Sequence, residues 1–297
     1  MSKTNPRQLA GLALAVLFSA GCASAPSKDE AAEAAPVTIT PEMSVAMGDR
    51  AWGAGDEEKA LFHYLEATRD APDVAGTWLK IAVLESRLGR PEVAMGAYAR
   101  VLALEPEHPV ALEETGLIYL ARREAAPARE HLERAVRADP RRWRAMNGLG
   151  VMADLEGEHA VAADWFGRAI AVNPDSAMLQ NNLGYSLYLA GNLEMAERQF
   201  RMAMSLDRGF SRAWRNLGLV LARQGYYEEA LPVLMEVMDE PEAYNALGYV
   251  CMLEGRRYEA ERYLREAIHR SPRYYEAAHE NLARLQSMPP VRIEAGM

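Results

Sequence analysis

The sequence predicts an all-α fold: a right-handed superhelical solenoid of about seven helix pairs, closed by a C-terminal capping helix. Three observations carry that expectation. Gly116, Gly150, Gly184 and Gly218 recur at a constant spacing of 34, and Ala82 and Gly48 hold the same slot upstream. About a dozen residues after each stands a small residue, at Ala60, Ala94, Ala128, Ala162, Ala196 and Ala230. Four further on comes a large apolar one, at Tyr64, Tyr98, Leu132, Phe166, Phe200 and Leu234. A chain that rewrites one supersecondary unit in this way buries its apolar faces by stacking the copies.

Residues 1–21 read as a signal segment. "MSKTNPRQ" is short and positive, "LAGLALAVLFSA" is apolar but too short to span a bilayer, and "SAGC" follows. Ala20 and Gly21 before Cys22 resemble the lipobox of bacterial lipoproteins, with Ser19 where that family usually has Leu. The resemblance implies lipidation of Cys22 and, with Ala23 rather than Asp after it, a periplasm-facing place on the outer membrane. Two or more acyl chains, at about 0.8 kcal/mol per buried CH₂, would make such anchoring permanent. An ordinary secretory signal cleaved near "ASA" at 23–25 is the other reading, and a Cys22–Cys251 disulfide is a further use of the two cysteines. Residues 22–40, rich in Ala, Pro and charge without apolar periodicity, read as a flexible tether.

The array spans 41–272, with units starting near 41, 75, 109, 143, 177, 211 and 241. Small residues at the Gly and Ala slots let paired helices approach closely while the bulky residue fills the space between them. Gly157, Gly191, Gly225 and Gly255 stand between helices, where a positive φ is needed. Pro91 and Pro127 fall near the starts of second helices, where a missing N–H costs little. Pro72, Pro106, Pro140 and Pro174 end their units, with Arg208 the first exception. The step from the sixth to the seventh unit is 30 rather than 34, and it places Pro232 inside a helix, so a break in regularity is expected between 226 and 245. Residues 273–288 form a capping helix and 289–297 a loose tail. The pattern resembles the tetratricopeptide repeat, which implies a superhelix whose first helices line the concave side.

Composition and motifs narrow the function. The formal charge of −9 argues against a basic nucleic-acid or membrane face, and loss of Lys3 and Arg7 with the signal would make it two units more negative. The six histidines form no HExxH and no His–Cys ligand spacing, and no phosphate-binding glycine loop occurs. Cys251 reads as a small core residue. The expectation is therefore a non-enzyme without metal, cofactor, small-molecule substrate or nucleic-acid partner.

What varies between copies is the concave face. Slots 2, 5, 9 and 12 of each first helix share one side. They carry Arg144, Asn147, Val151 and Asp154 in the fourth unit and Met178, Asn181, Tyr185 and Tyr188 in the fifth. The sixth has Arg212, Arg215 and Leu219, the seventh has Asn245, Tyr249 and Met252, and Asn182 and Asn216 stand at slot 6. Amides that both donate and accept suit an extended peptide backbone, and Tyr and Arg are the usual interface anchors. The candidate groove is thus Arg144, Asn147, Asn181, Asn182, Tyr185, Tyr188, Arg212, Arg215, Asn216, Asn245 and Tyr249. Plainer uses stand beside this one: an Asn near a helix start caps or solvates, and Tyr185 and Tyr188 pack between helices.

With its lipobox, "NNLGYSLYLAG", the short unit before "AYNALGYV" and the closing "SPRYYEAAHENL", the chain resembles the TadD family of the tight-adherence (Flp) pilus system. It is similar also to the PilF/PilW pilotins of type IV pili. The resemblance implies a scaffold that helps a secretin or another pilus or secretion component assemble. An adaptor lipoprotein for outer-membrane protein assembly, peptidoglycan enzymes or polysaccharide export is the alternative.

Overall fold

A computed structural model describes residues 39–288. The signal segment, Cys22, the tether up to residue 38 and the tail from 289 lie outside the described residues. Fifteen helices and no strands fill the described chain, in the all-α repeat fold the sequence predicts. The first helices of the seven pairs are α1 (Pro41–Gly53), α3 (Ala75–Arg87), α5 (Pro109–Ala121), α7 (Trp143–Leu155), α9 (Ala177–Leu189), α11 (Ser211–Gln224) and α13 (Glu240–Leu253). The second helices are α2 (Glu57–Asp70), α4 (Pro91–Leu104), α6 (Ala125–Ala138), α8 (His159–Val172), α10 (Leu193–Leu206), α12 (Tyr227–Met235) and α14 (Arg257–Arg270). A last helix, α15 (Glu276–Ser287), packs on α13 and α14. None of these helices is long and apolar enough to cross a membrane.

Local sequence sets the helix ends. Thr40, Asp56, Ser176 and Asp239 each accept a hydrogen bond from the backbone N–H three residues on, satisfying an otherwise orphaned donor. Pro41, Pro91 and Pro109 open their helices, where no intrahelical N–H is lost. The turn within each pair needs one residue at positive φ. Glycine holds that slot at Gly55, Gly89, Gly157, Gly191, Gly225 and Gly255, whereas the third unit places Arg123 there at φ 61°.

Six of the seven pairs close with a first-helix glycine against a large second-helix side chain, a ring in the first, fourth and fifth pairs and leucine in the third, sixth and seventh. A Cβ on Gly184 would sit 2.8 Å from the Phe200 ring, and one on Gly150 2.7 Å from that of Phe166. The alanines of the small slot and the large residues after them are fully buried. Between pairs, each second helix packs on the next first helix, and from α5 onward each first helix also packs on the next first helix. No comparable pairing of second helices occurs among the described residues. The row of first helices is therefore the shorter, inner side of the stack.

The regular pattern breaks where the 30-residue step falls. α12 is nine residues long against fourteen in the other second helices, and Pro232 lies within it. Proline removes one i→i−4 bond and crowds the turn before it; α12 continues three residues further, to Met235, and a turn leads into α13.

Candidate partner-binding groove

The inner faces of α7, α9 and α11 bring the predicted asparagines together in one chain of hydrogen bonds. Asn216 Nδ2 donates to Asn181 Oδ1 at 2.9 Å, Asn181 Nδ2 to Asn182 Oδ1 at 3.4 Å, and Asn182 Nδ2 to Asn147 Oδ1 at 2.9 Å. A second link joins Asn281 Nδ2 of α15 to Asn245 Oδ1 of α13 at 3.0 Å. These amides therefore tie successive inner helices to one another. Asn181 is a correction to the expected groove. It is buried, with both ends of its amide directed to neighbouring asparagines, so it belongs to the scaffold rather than to an open contact surface. Asn147, Asn182, Asn216 and Asn245 are partly buried.

The tyrosines divide. Tyr185 is 45 % exposed on the inner face. Tyr188, one turn on, packs against the core, and the two rings stack at 6.3 Å between centroids. Burial pushes the Tyr188 hydroxyl's pKa up. Arg223 holds Tyr188 from the far side: its guanidinium lies 5.0 Å from the ring, Nη1 donates to the Tyr188 carbonyl at 3.1 Å, and Nε to Glu254 at 2.9 Å. Tyr188 thus takes the packing role and Tyr185 the open one. Tyr249 is exposed on α13.

The arginines divide as well. Arg144 is paired with Glu114 of the preceding unit and lies 3.7 Å from Glu113. Its charge is matched within the chain, while its side chain stays 45 % exposed. Glu113 is itself buried, receives the Ala145 N–H at 3.1 Å, and has Arg142 at 3.7 Å. Burial raises its pKa, and the two arginines oppose that rise. At the other end of the inner face Lys80 pairs with Asp49, which also accepts from the Tyr64 hydroxyl at 2.6 Å. Arg212 and Arg215 differ. Both are exposed, and neither has an acidic partner among the described residues. The repeat register explains Arg212: its counterpart in the fourth unit, Arg144, meets Glu114, whereas the residue equivalent to Glu114 beside Arg212 is Asn182, an uncharged amide.

The slots of a single unit do not contain these pairings. They are legible as opposite charges or amides separated by nearly one period: Glu114 and Arg144, Asp49 and Lys80, Asn147 and Asn182, Asn181 and Asn216. Asp154 is engaged in the same way, accepting from Ser186 Oγ at 2.5 Å and lying 2.9 Å from His159 Nδ1.

No group of three or more His, Cys, Asp or Glu among the described residues could hold a metal ion. Cys251 is buried, and burial pushes its thiol's pKa up, away from a thiolate nucleophile.

A stack of helical hairpins with a continuous inner face is a protein-interaction scaffold, and that is the class this fold and face define. Models described as "Tetratricopeptide repeat" match residues 45–109, 79–130, 113–171 and 241–274, together a little over half of the chain. The chain belongs to the tetratricopeptide-repeat proteins. No curated protein is significantly similar to it. Among solved structures it is similar to a tetratricopeptide repeat protein from Parabacteroides merdae, at 17 % identity and TM-score 0.57 over 83 % of this chain and 98 % of that one. It is similar to Pseudomonas aeruginosa pilF at 17 % identity and TM-score 0.56, over 76 % and 97 %. It is similar also to YrrB, described as a TPR protein with an unusual peptide-binding site, at 23 % identity and TM-score 0.53, over 62 % and 95 %. These likenesses show the fold.

Proposed function

We propose that this chain is an envelope scaffold of the TadD type. It is anchored to the periplasmic side of the outer membrane through lipidated Cys22, and it holds a segment of a pilus or secretion component, such as a secretin, against the inner face of α9, α11 and α13. The carrying observation is the pair of exposed arginines on α11, Arg212 and Arg215, left without carboxylate partners, with Tyr185 exposed on the adjoining α9. Elsewhere on the inner face Lys80 and Arg144 are matched within the chain. Unpaired guanidiniums on a face that also exposes a tyrosine favour an extended polypeptide bearing acidic side chains. The lipobox-like "SAGC" supports the anchor, and the shared fold with pilF is in keeping with the pilus role. Confinement to a membrane surface would raise the groove's effective concentration toward membrane-bound partners.

Affinity capture from crosslinked envelope fractions tests this reading. Replacement of Arg212 and Arg215 by Glu should lower recovery of the partner at least about tenfold, roughly the 1.4 kcal/mol of one lost charge-assisted contact, with an unchanged circular dichroism spectrum. A secretin or prepilin in the wild-type eluate supports the pilus role, and proteins of another envelope process in its place would reassign it. Undiminished recovery by the folded variant would remove the groove from the account.

A further inference from the structure

A second concave surface lies along the edge formed by the turns within the last three helix pairs and the starts of their second helices. Between the start of α10 and the α11–α12 turn is a hollow of about 700 Å³, bordered by Glu194, Met195, Gln224 and Tyr226. Tyr226 also borders the next hollow, of about 400 Å³, together with Glu228, Glu229, Tyr258 and Glu259. Tyrosine departs from the repeat at both positions. In every other unit the slot of Tyr226 holds a charged residue or Asn, and that of Tyr258 holds Glu or Ala. Tyr226 is 55 % and Tyr258 78 % exposed, so packing within the chain does not account for them.

Neighbouring tyrosines show what such rings take in this molecule. The guanidinium of Arg223 lies 5.0 Å from the Tyr188 ring, that of Arg256 5.7 Å from Tyr227, and that of Arg262 5.3 Å from Tyr263. Among the described residues no cation lies over Tyr226 or Tyr258. The carboxylates beside them are in the same condition. Glu194, Glu228, Glu229 and Glu259 form no ion pair among the described residues, whereas Glu197 is matched by Arg201. A place in the first turn suits an acid to the helix dipole, which accounts for each glutamate singly but not for the exposed rings beside them. Gln224 adds an independent sign. Its Oε1 is buried without a hydrogen-bond donor, and a buried acceptor left so calls for an N–H from outside.

We propose that this edge is a second protein-binding site, which takes a polypeptide segment bearing arginine or lysine side chains. Cations of the segment lie over the Tyr226 and Tyr258 rings and pair with the surrounding glutamates, and an N–H of the segment donates to Gln224 Oε1. Arginine fits best, because its planar guanidinium stacks on a ring and donates to carboxylates at once. The charge preference is opposite to that of the inner face, so this site does not depend on the inner-face reading. The consequence is a scaffold able to bridge two components.

Fluorescence anisotropy of a labelled octapeptide of alternating Arg and Ser, titrated with the full chain at about 0.15 M salt, tests the site. Salt at that level screens the diffuse attraction of a cation to a chain of net charge −9. Tyr226→Leu with Tyr258→Leu keeps the charge and the apolar bulk but removes both rings, and it should weaken binding at least about fivefold. Glu228→Gln with Glu229→Gln should weaken it by a similar factor. Asp73→Asn with Glu105→Gln removes the same charge from exposed positions elsewhere and should change it less than about twofold. Circular dichroism confirms that each variant is folded. Equal loss in the two charge variants with none in the tyrosine variant would reduce the binding to net charge and overturn the proposal, as would the absence of saturable binding. A dimer of the free chain in sedimentation that the tyrosine variant dissociates would overturn it too, giving the rings to a second copy.

Discussion

Phe200 lies so close to Gly184 that a single methyl group decides the fit of the fifth helix pair. A Cβ there would stand 2.8 Å from the ring, so Gly184→Ala should cost about 1–3 kcal/mol through overpacking. Gly96, on the exposed side of α4, meets nothing within 4 Å, so Gly96→Ala should add about 0.5–1 kcal/mol by removing chain entropy from the unfolded state. Urea midpoints of the two variants, shifted in opposite directions, check both statements. Arg123 is the complementary case: a side chain in a slot where every other unit has glycine. Arg123→Gly should stabilise the array by about 0.5–1 kcal/mol, read again from the urea midpoint. These steric positions were legible in the sequence, because a close approach of helices tolerates few residue types and the 34-residue period repeats the requirement. The fates of Asn181 and Arg144 were not. Each depends on a partner one repeat away, and the pattern of slots within a unit does not contain that partner.

The seams between elements set how the helices are keyed together. At the α5–α7 seam the buried Glu113 carboxylate receives the Ala145 N–H and faces two arginines, yet burial leaves its pKa above the ordinary carboxylate value. A raised acid pKa means the folded state favours the protonated form. The stability this group contributes is therefore full below the ordinary value and is lost as pH rises through the folded one. Wild type compared with Glu113→Gln should lose relative stability as pH rises above the ordinary carboxylate value of about 4.3, as followed by urea midpoints on either side of it. A gain as pH rises would show that the arginines outweigh the burial. The α11–α13 junction was readable from Pro232 and the 30-residue step, since a missing N–H acts locally and needs no knowledge of neighbours. The exposure of Met43 and Met47 on α1 was less readable, because their slots are filled by core residues such as Thr77 and Ile81 in the next unit.

Across the whole stack, the inner row of first helices is a face whose charges cancel within the chain at Lys80 and Arg144 and remain uncancelled at Arg212 and Arg215. The proposed function rests on that asymmetry, which falls in the C-terminal half beside the short α12. The repeat logic made the fold and its inner side legible, while the division between structural and open residues emerged only from contacts between units. Site-specific photo-crosslinking in cells is the most direct test. A photoreactive residue in place of Arg215 on the inner face should yield a discrete adduct with an envelope protein. The same residue in place of Arg201, on the second-helix side of α10, should yield none. Adducts at Arg201 with none at Arg215 would contradict the groove as the site of binding.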